Sequence, residues 1–193
     1  VIDRGGNRSE HEFRGEERDI LEGLTRLVRD EDPDFITGYN IDNFDLPRII
    51  ERAEEAGPRS RFEQAALCGW GRVPAIESEA KRLKPNRANN RVWRLTGRIP
   101  LDAWWQVRQT LRPERESLRY VANMLWPDDA DKHKLDVDAS RMDEEWAARP
   151  DVVLEYCAQD ALLPIEILNA ISATVRKEAL AAVGKVPLET SIG

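Results

Sequence analysis

The 193-residue sequence predicts an α/β layer architecture. Two short β-prone runs, Phe35-Ile36-Thr37 and Arg98 to Ala103, alternate with amphipathic helical patterns, and glycine or proline punctuates each run. Strands separated by helices pack as layers, with the helices covering the sheet. Two strands are few for a sheet, so the expectation is a mixed sheet flanked by helices whose first strands lie upstream of Val1.

Taken in order, Val1-Ile2 reads as the tail of a strand and Glu12-Phe13 as a short edge strand. From Glu16 to Arg29, the residues Ile20, Leu21, Leu24, Leu27 and Val28 recur at helical spacing. Asp32-Pro33-Asp34 breaks that helix, and Phe35-Ile36-Thr37 follows as a buried strand ended by Gly38. Proline is tolerated only in a first turn, so Pro47 places the next helix start near Asp45 or Leu46. Its apolar face is Leu46, Ile49, Ile50 and Ala53, and Gly57-Pro58 supplies the stop. Residues 58–97 lack periodicity and read as an irregular excursion with room for a hairpin. After the strand at Arg98–Ala103, helices are expected at 104–111, 117–126 and 143–148. Pro150 then opens one long apolar helix to about Val175. Within it Pro164 deprives the Asp160 carbonyl of its usual donor, which predicts a bend. The domain is thus expected over 1–183, with 184–193 as a linker.

Composition narrows the function classes. The chain is 41% hydrophobic and 34% charged, as a soluble globular protein is. No apolar run approaches the roughly 18–20 residues that span a bilayer. Cys68 and Cys157 lie far apart and outside any C-x-x-C pair, so both thiols are expected buried or inert at a reducing, intracellular location, cytoplasm or nucleoid in a prokaryote. His11 and His133 add too few ligands for zinc, and no P-loop or dinucleotide fingerprint occurs. A net charge of −7 does not favour a general nucleic-acid binder. However, Ala80 to Leu101 contains no acidic residue while Lys81, Arg82, Lys84, Arg87, Arg91, Arg94 and Arg98 fall there. That segment is either a phosphate-facing patch or a solvated loop.

Two separated stretches carry carboxylates at the edges of apolar elements. Gly38-Tyr39-Asn40-Ile41-Asp42-Asn43-Phe44-Asp45-Leu46-Pro47 delivers Asp45 where a strand passes through a loop to a helix start. Aspartate there is a common N-cap, and a carboxylate beyond a strand's carboxyl end is also where α/β folds place ligands. Tyr156-Cys157-Ala158-Gln159-Asp160-Ala161 places Tyr156 and Asp160 four apart, neighbours on one helix face beside a stripe of Val153, Cys157, Ala161, Pro164 and Leu168. A half-buried carboxylate needs partners, and a Tyr–Asp hydrogen bond that caps the packing would supply one. Metal-assisted phosphodiester cleavage needs paired acidic residues of this kind.

Together, the Tyr-Asn…Phe-Asp and Tyr-x-x-x-Asp patterns resemble the second and third exonuclease motifs of family B DNA polymerases. "DPDFITGYN", "GRIPLDAW" and "SLRYVANMLW…DKHKLDV" extend the resemblance, which runs from Glu16 to Ala182. It implies a ribonuclease H-like 3′–5′ proofreading exonuclease that holds two divalent ions, Mg2+ or Mn2+. It also implies as partners a single-stranded DNA 3′ end or primer-template, and the remainder of a polymerase chain. By that resemblance Asp45 and Asp160 are metal ligands, and Tyr156 orients or helps deprotonate the attacking water. Asn40 hydrogen-bonds near the terminal nucleotide and Phe44 supports the loop. Asp102 is structural, and Lys81, Arg82, Lys84, Arg87, Arg91 and Arg94 contact DNA.

The family's first motif, an Asp-x-Glu on the opening strand, has no counterpart before Asp45, since Asp3, Glu10 and Glu12 lack both the spacing and a buried strand. Two expectations compete: the motif lies upstream of Val1, or this is a catalytically inactive, diverged module that binds DNA or braces a polymerase. Arg48 stands where the family often has an aromatic residue, and no polymerase palm motif occurs.

Overall fold

A computed structural model describes residues 1–3, 5–72, 79–82, 91–129, 132 and 137–188, with only the backbone described at 79–82, 91, 92, 94 and 139. The described residues form a mixed α/β protein. Contacts divide it into two compact units, Val1–Ile36 with Ile41–Leu101, and Thr37–Asn40 with Asp102–Ile192. Strands β1 (Phe35–Gly38) and β4 (Ile99–Asp102) pair in a small parallel sheet, and the Ile99 amide donates to the Asp34 carbonyl at 2.9 Å. β1 is half-buried along its whole length rather than fully buried as expected.

The first unit is organised by helix α1 (Glu17–Glu31), which buries Leu21, Thr25 and Val28. Glu17 and Asp19 in its first turn and Arg29 in its last suit the helix dipole. Asp32 ends it in the left-handed region (φ 44°) immediately before Pro33. Helix α2 (Asp45–Glu55) starts where Pro47 requires and buries Leu46 and Ala53. Leu46 joins Val28, Ile41, Trp70, Trp93 and Leu95 in one apolar cluster, while Ala53 joins Leu21 and Leu67 in another.

The described residues of the excursion at 58–97 are more ordered than its composition predicts. It holds helix α3 (Arg61–Cys68) and an antiparallel pair, β2 (Glu79–Arg82) with β3 (Arg91–Arg94), in the register Lys81 opposite Val92 and Arg82 opposite Arg91. The Ser60 hydroxyl caps α3 by accepting from the Glu63 amide, and the Glu63 carboxylate reaches back to the Arg59 amide at 2.7 Å. This is close to a capping box, and the Ser-x-x-Glu spacing is its sequence signature. At the other end, Arg29 donates to the Ala65 carbonyl at 2.5 Å. The buried Thr25 hydroxyl donates to the Leu67 carbonyl (2.8 Å) and accepts from the Trp70 indole (3.0 Å), so helices α1 and α3 share a satisfied polar link inside the core. A Cβ at Gly69 would lie 2.5 Å from the Ala65 carbonyl oxygen, so the chain leaves α3 there by a path open only to glycine.

The second unit is helical. Helices α4 (Ala103–Thr110), α5 (Leu118–Leu125) and α6 (Met142–Ala148) each pack against α7 (Pro150–Ala170), as does α8 (Ala173–Gly184). The expected single helix to Val175 is therefore two. The break is not at Pro164, which α7 carries within it, but at Ser172, whose φ of 51° no α-helix accommodates. Four further expectations are corrected. Glu12-Phe13 is not a strand, and Val1-Ile2 contributes only an isolated bridge from Ile2 to Arg8. Cys157 is exposed. Arg98 leaves the basic surface altogether: it is 3% exposed, donates to the carbonyls of Trp70 and Pro33 (both 2.6 Å), and pairs with Asp32 at 2.9 Å. Among the described residues no helix is long and apolar enough to cross a membrane.

Candidate functional site

In the first unit, Asp45 is the first residue of α2 rather than its cap. Phe44 occupies the capping position, with no side-chain cap bond, so the N-cap reading of Asp45 does not hold. The loop before it is fixed by the buried Ile41, whose carbonyl accepts from the Leu46 amide at 3.0 Å. Trp93 of β3 adds a second anchor, its indole donating to the Asp42 carbonyl at 2.7 Å. Sequence reasoning missed Trp93, and its one signal was an apolar aromatic inside an otherwise basic stretch. Phe44 itself is 67% exposed, so it does not support this loop by packing.

In the second unit, Tyr156 and Asp160 stand one turn apart on α7. Tyr156 is 6% exposed and belongs to the core, while Asp160 is half-exposed with its Oδ1 held out of solvent. The buried stripe of α7 is Val153, Tyr156, Leu163, Pro164, Ile167 and Leu168. Cys157 and Ala161, placed in it by spacing, are exposed. On the same helix Glu166 pairs with Lys132, whose ammonium lies 4.6 Å from the centre of the Trp126 ring.

The turn at Tyr39-Asn40 also belongs to the second unit. Asn40 has φ 66°, and its amide donates to Asp102 Oδ1 at 2.8 Å. The same oxygen caps α4 by accepting from the Trp104 amide at 2.9 Å. The Tyr39 hydroxyl donates to the Glu116 carbonyl at 2.7 Å. Burial, with the Asp102 and Glu116 carboxylates adding to it, pushes the Tyr39 hydroxyl far above its ordinary ionisation range.

Asn40, Tyr156 and Asp160 thus share one unit, and Phe44 and Asp45 belong to the other. Lys81 and Arg82 lie on β2 and Arg91 and Arg94 on β3, while Lys84 and Arg87 fall outside the described residues. Among the described residues no three His, Cys, Asp or Glu side chains gather as a metal site would require.

Comparison with known proteins defines the class. Residues 12–121 match the exonuclease domain of DNA polymerase family B, and the chain belongs to that family. It is 30% identical over 181 residues to the DNA polymerase delta catalytic subunit of Drosophila melanogaster, covering 90% of this chain and 16% of the relative. The Bos taurus delta catalytic subunit is 30% identical over 89% of this chain and 15% of its own length. The DNA polymerase catalytic subunit of Epstein-Barr virus (strain B95-8) is 30% identical over 89% of this chain and 17% of its own length. The chain therefore spans about a sixth of the curated relatives it matches.

Proposed function

We propose that this domain performs 3′–5′ exonucleolytic proofreading, hydrolysing the terminal phosphodiester bond of a single-stranded or frayed primer 3′ end within a DNA polymerase. The observation that carries the reading is Tyr156 and Asp160 stacked one turn apart on α7 in a chain of this family. In the proposal the sheet is part of a ribonuclease H-like fold, and Asp45 and Asp160 are two of the carboxylates that hold two Mg2+ or Mn2+ ions. The remaining donors come from outside the described residues. When bound, such ions activate the attacking water and stabilise the leaving 3′-oxygen.

The chain's own residues do the rest. Tyr156, buried one turn before Asp160 on α7, orients the attacking water. Asn40 hydrogen-bonds the terminal nucleotide, and Phe44, already in solvent, is free to contact a base. Lys81, Arg82, Lys84, Arg87, Arg91 and Arg94 neutralise DNA phosphates.

The test is digestion of a 5′-labelled single-stranded oligonucleotide by the full polypeptide that carries this chain. Asp45→Ala and Asp160→Ala should each lower the rate on the order of 100-fold or more, equivalent to about 3 kcal/mol. Tyr156→Phe should cost on the order of ten-fold, because general acid–base help is smaller than the metal contribution. Wild-type rates in either aspartate variant would sink the assignment. DNA binding with no metal-dependent digestion by the wild type would favour the inactive bracing module instead.

A further inference from the structure

We propose that Asp102 is a positioning residue for nucleic-acid recognition: one carboxylate oxygen, shared between the first turn of α4 and the Asn40 amide, holds Asn40 in the conformation that meets the terminal nucleotide. The inference rests on the proofreading reading above for what Asn40 binds, but not for how Asn40 is held.

Three observations converge. Asn40 is in the left-handed region (φ 66°), which costs any non-glycine residue roughly 1 kcal/mol unless local bonds favour it. Asp102 Oδ1 supplies such a bond at 2.8 Å, from a position 2% exposed at the end of β4. Being buried and already bonded to the Trp104 amide, that oxygen cannot drift. The preceding residue is tethered independently, through the Tyr39 hydroxyl and the Glu116 carbonyl. With its own amide and the preceding residue both tethered, the backbone that carries the Asn40 side chain is ordered on folding rather than on binding. Asp102 therefore does more than cap a helix. A hydroxyl would cap α4 equally well, but serine is one atom shorter and would not reach the Asn40 amide as well.

The test is a double-mutant cycle on binding of a 3′-hydroxyl oligo(dT), followed by fluorescence anisotropy in the full polypeptide without added divalent metal. Asn40→Ala and Asp102→Ala should each weaken binding about ten-fold, the value of one good hydrogen bond. Their combination should be no weaker than either alone, because both remove the same contact. Asp102→Asn, which keeps the acceptor, should bind close to wild type, and Asp102→Ser should behave like Asp102→Ala. Hydrogen exchange at the Asn40 amide should accelerate at least about ten-fold in Asp102→Ala and not in Ser60→Ala, a cap lost from the other unit. Losses that multiply in the double variant, or an Asn40 amide that stays protected in Asp102→Ala, would overturn the proposal. Failure of the proofreading reading shows separately, as unaltered digestion in Asp160→Ala.

Discussion

Arg98 shows how one side chain can change meaning between a composition count and a packed structure. It closes a run of basic residues, yet its guanidinium is buried against the Trp70 and Pro33 carbonyls and pairs with the Asp32 carboxylate. Arg72 donates to that same carboxylate and to Asp34 at 2.9 and 2.7 Å. The Arg72 guanidinium, with Arg98 adding to it, holds Asp32 below its usual range. Asp32 is solvated, so most of the cost of losing Arg98 lies in two carbonyls left without a donor. Arg98→Met should destabilise the protein by about 2–4 kcal/mol in urea unfolding at neutral pH, whereas an exposed basic residue should be neutral on replacement. Tyr39 makes a second residue-scale prediction. Its ionisation is raised above the ordinary value of 10.0. The folded state therefore keeps the proton that the unfolded state loses, and stability present below pH 10 should decline as pH rises beyond it. Tyr39→Phe should lack that alkaline share of the decline, at a cost of about 1 kcal/mol near neutrality for the Glu116 bond. Unfolding midpoints of the two proteins between pH 8 and 11 decide it.

At the scale of elements, legibility followed local chemistry. Helices α1, α2, α4 and α5 were readable because an apolar period, a proline in the first turn or a serine or aspartate cap marks them. Helix α3 was not read, although Ser60 and Glu63 carry the capping signature, because glycines and prolines on either side masked an eight-residue helix. The break between α7 and α8 was unreadable for a different reason. Ser172 has an ordinary side chain in a left-handed backbone, and the flanking apolar residues continue the helical period without interruption. That makes a prediction. Ser172→Gly removes the steric penalty of the left-handed region, so it should raise stability by up to about 1 kcal/mol, while Ser172→Val should lower it. Thermal unfolding of the three proteins would read both signs. The site followed the same rule. The Tyr156–Asp160 spacing was plain in sequence, but the double use of Asp102 Oδ1 depends on a contact across 62 residues. No local pattern encodes it.

At the scale of the whole molecule, the proposed proofreading role requires an acidic chain to engage DNA. A net charge of −7 repels a polyanion at long range, so binding must come from a local concentration of cations. Lys81 and Arg82 on β2 and Arg91 and Arg94 on β3 are brought onto adjacent paired strands. Sequence alone left those residues as either a loop or a patch; the backbone register sets Arg82 opposite Arg91 but Glu79 opposite Arg94. Arg98 must be subtracted from that patch, since its charge is spent inside the fold. If the strand cations face phosphates, each contact releases counterions, and the logarithm of affinity for single-stranded DNA falls against the logarithm of salt by about 0.7 per phosphate. Replacing Arg91 and Arg94 together with alanine should therefore flatten the slope by about 1.4 if both make such contacts, and weaken binding at low salt more than at high salt. Replacing Arg18 and Arg48, exposed and already paired with Glu22 and Glu51 on their own helices, should leave the slope unchanged. A slope equally altered by both pairs would mean that overall charge governs the encounter. An unchanged slope in the strand variant would remove the paired strands from the DNA path.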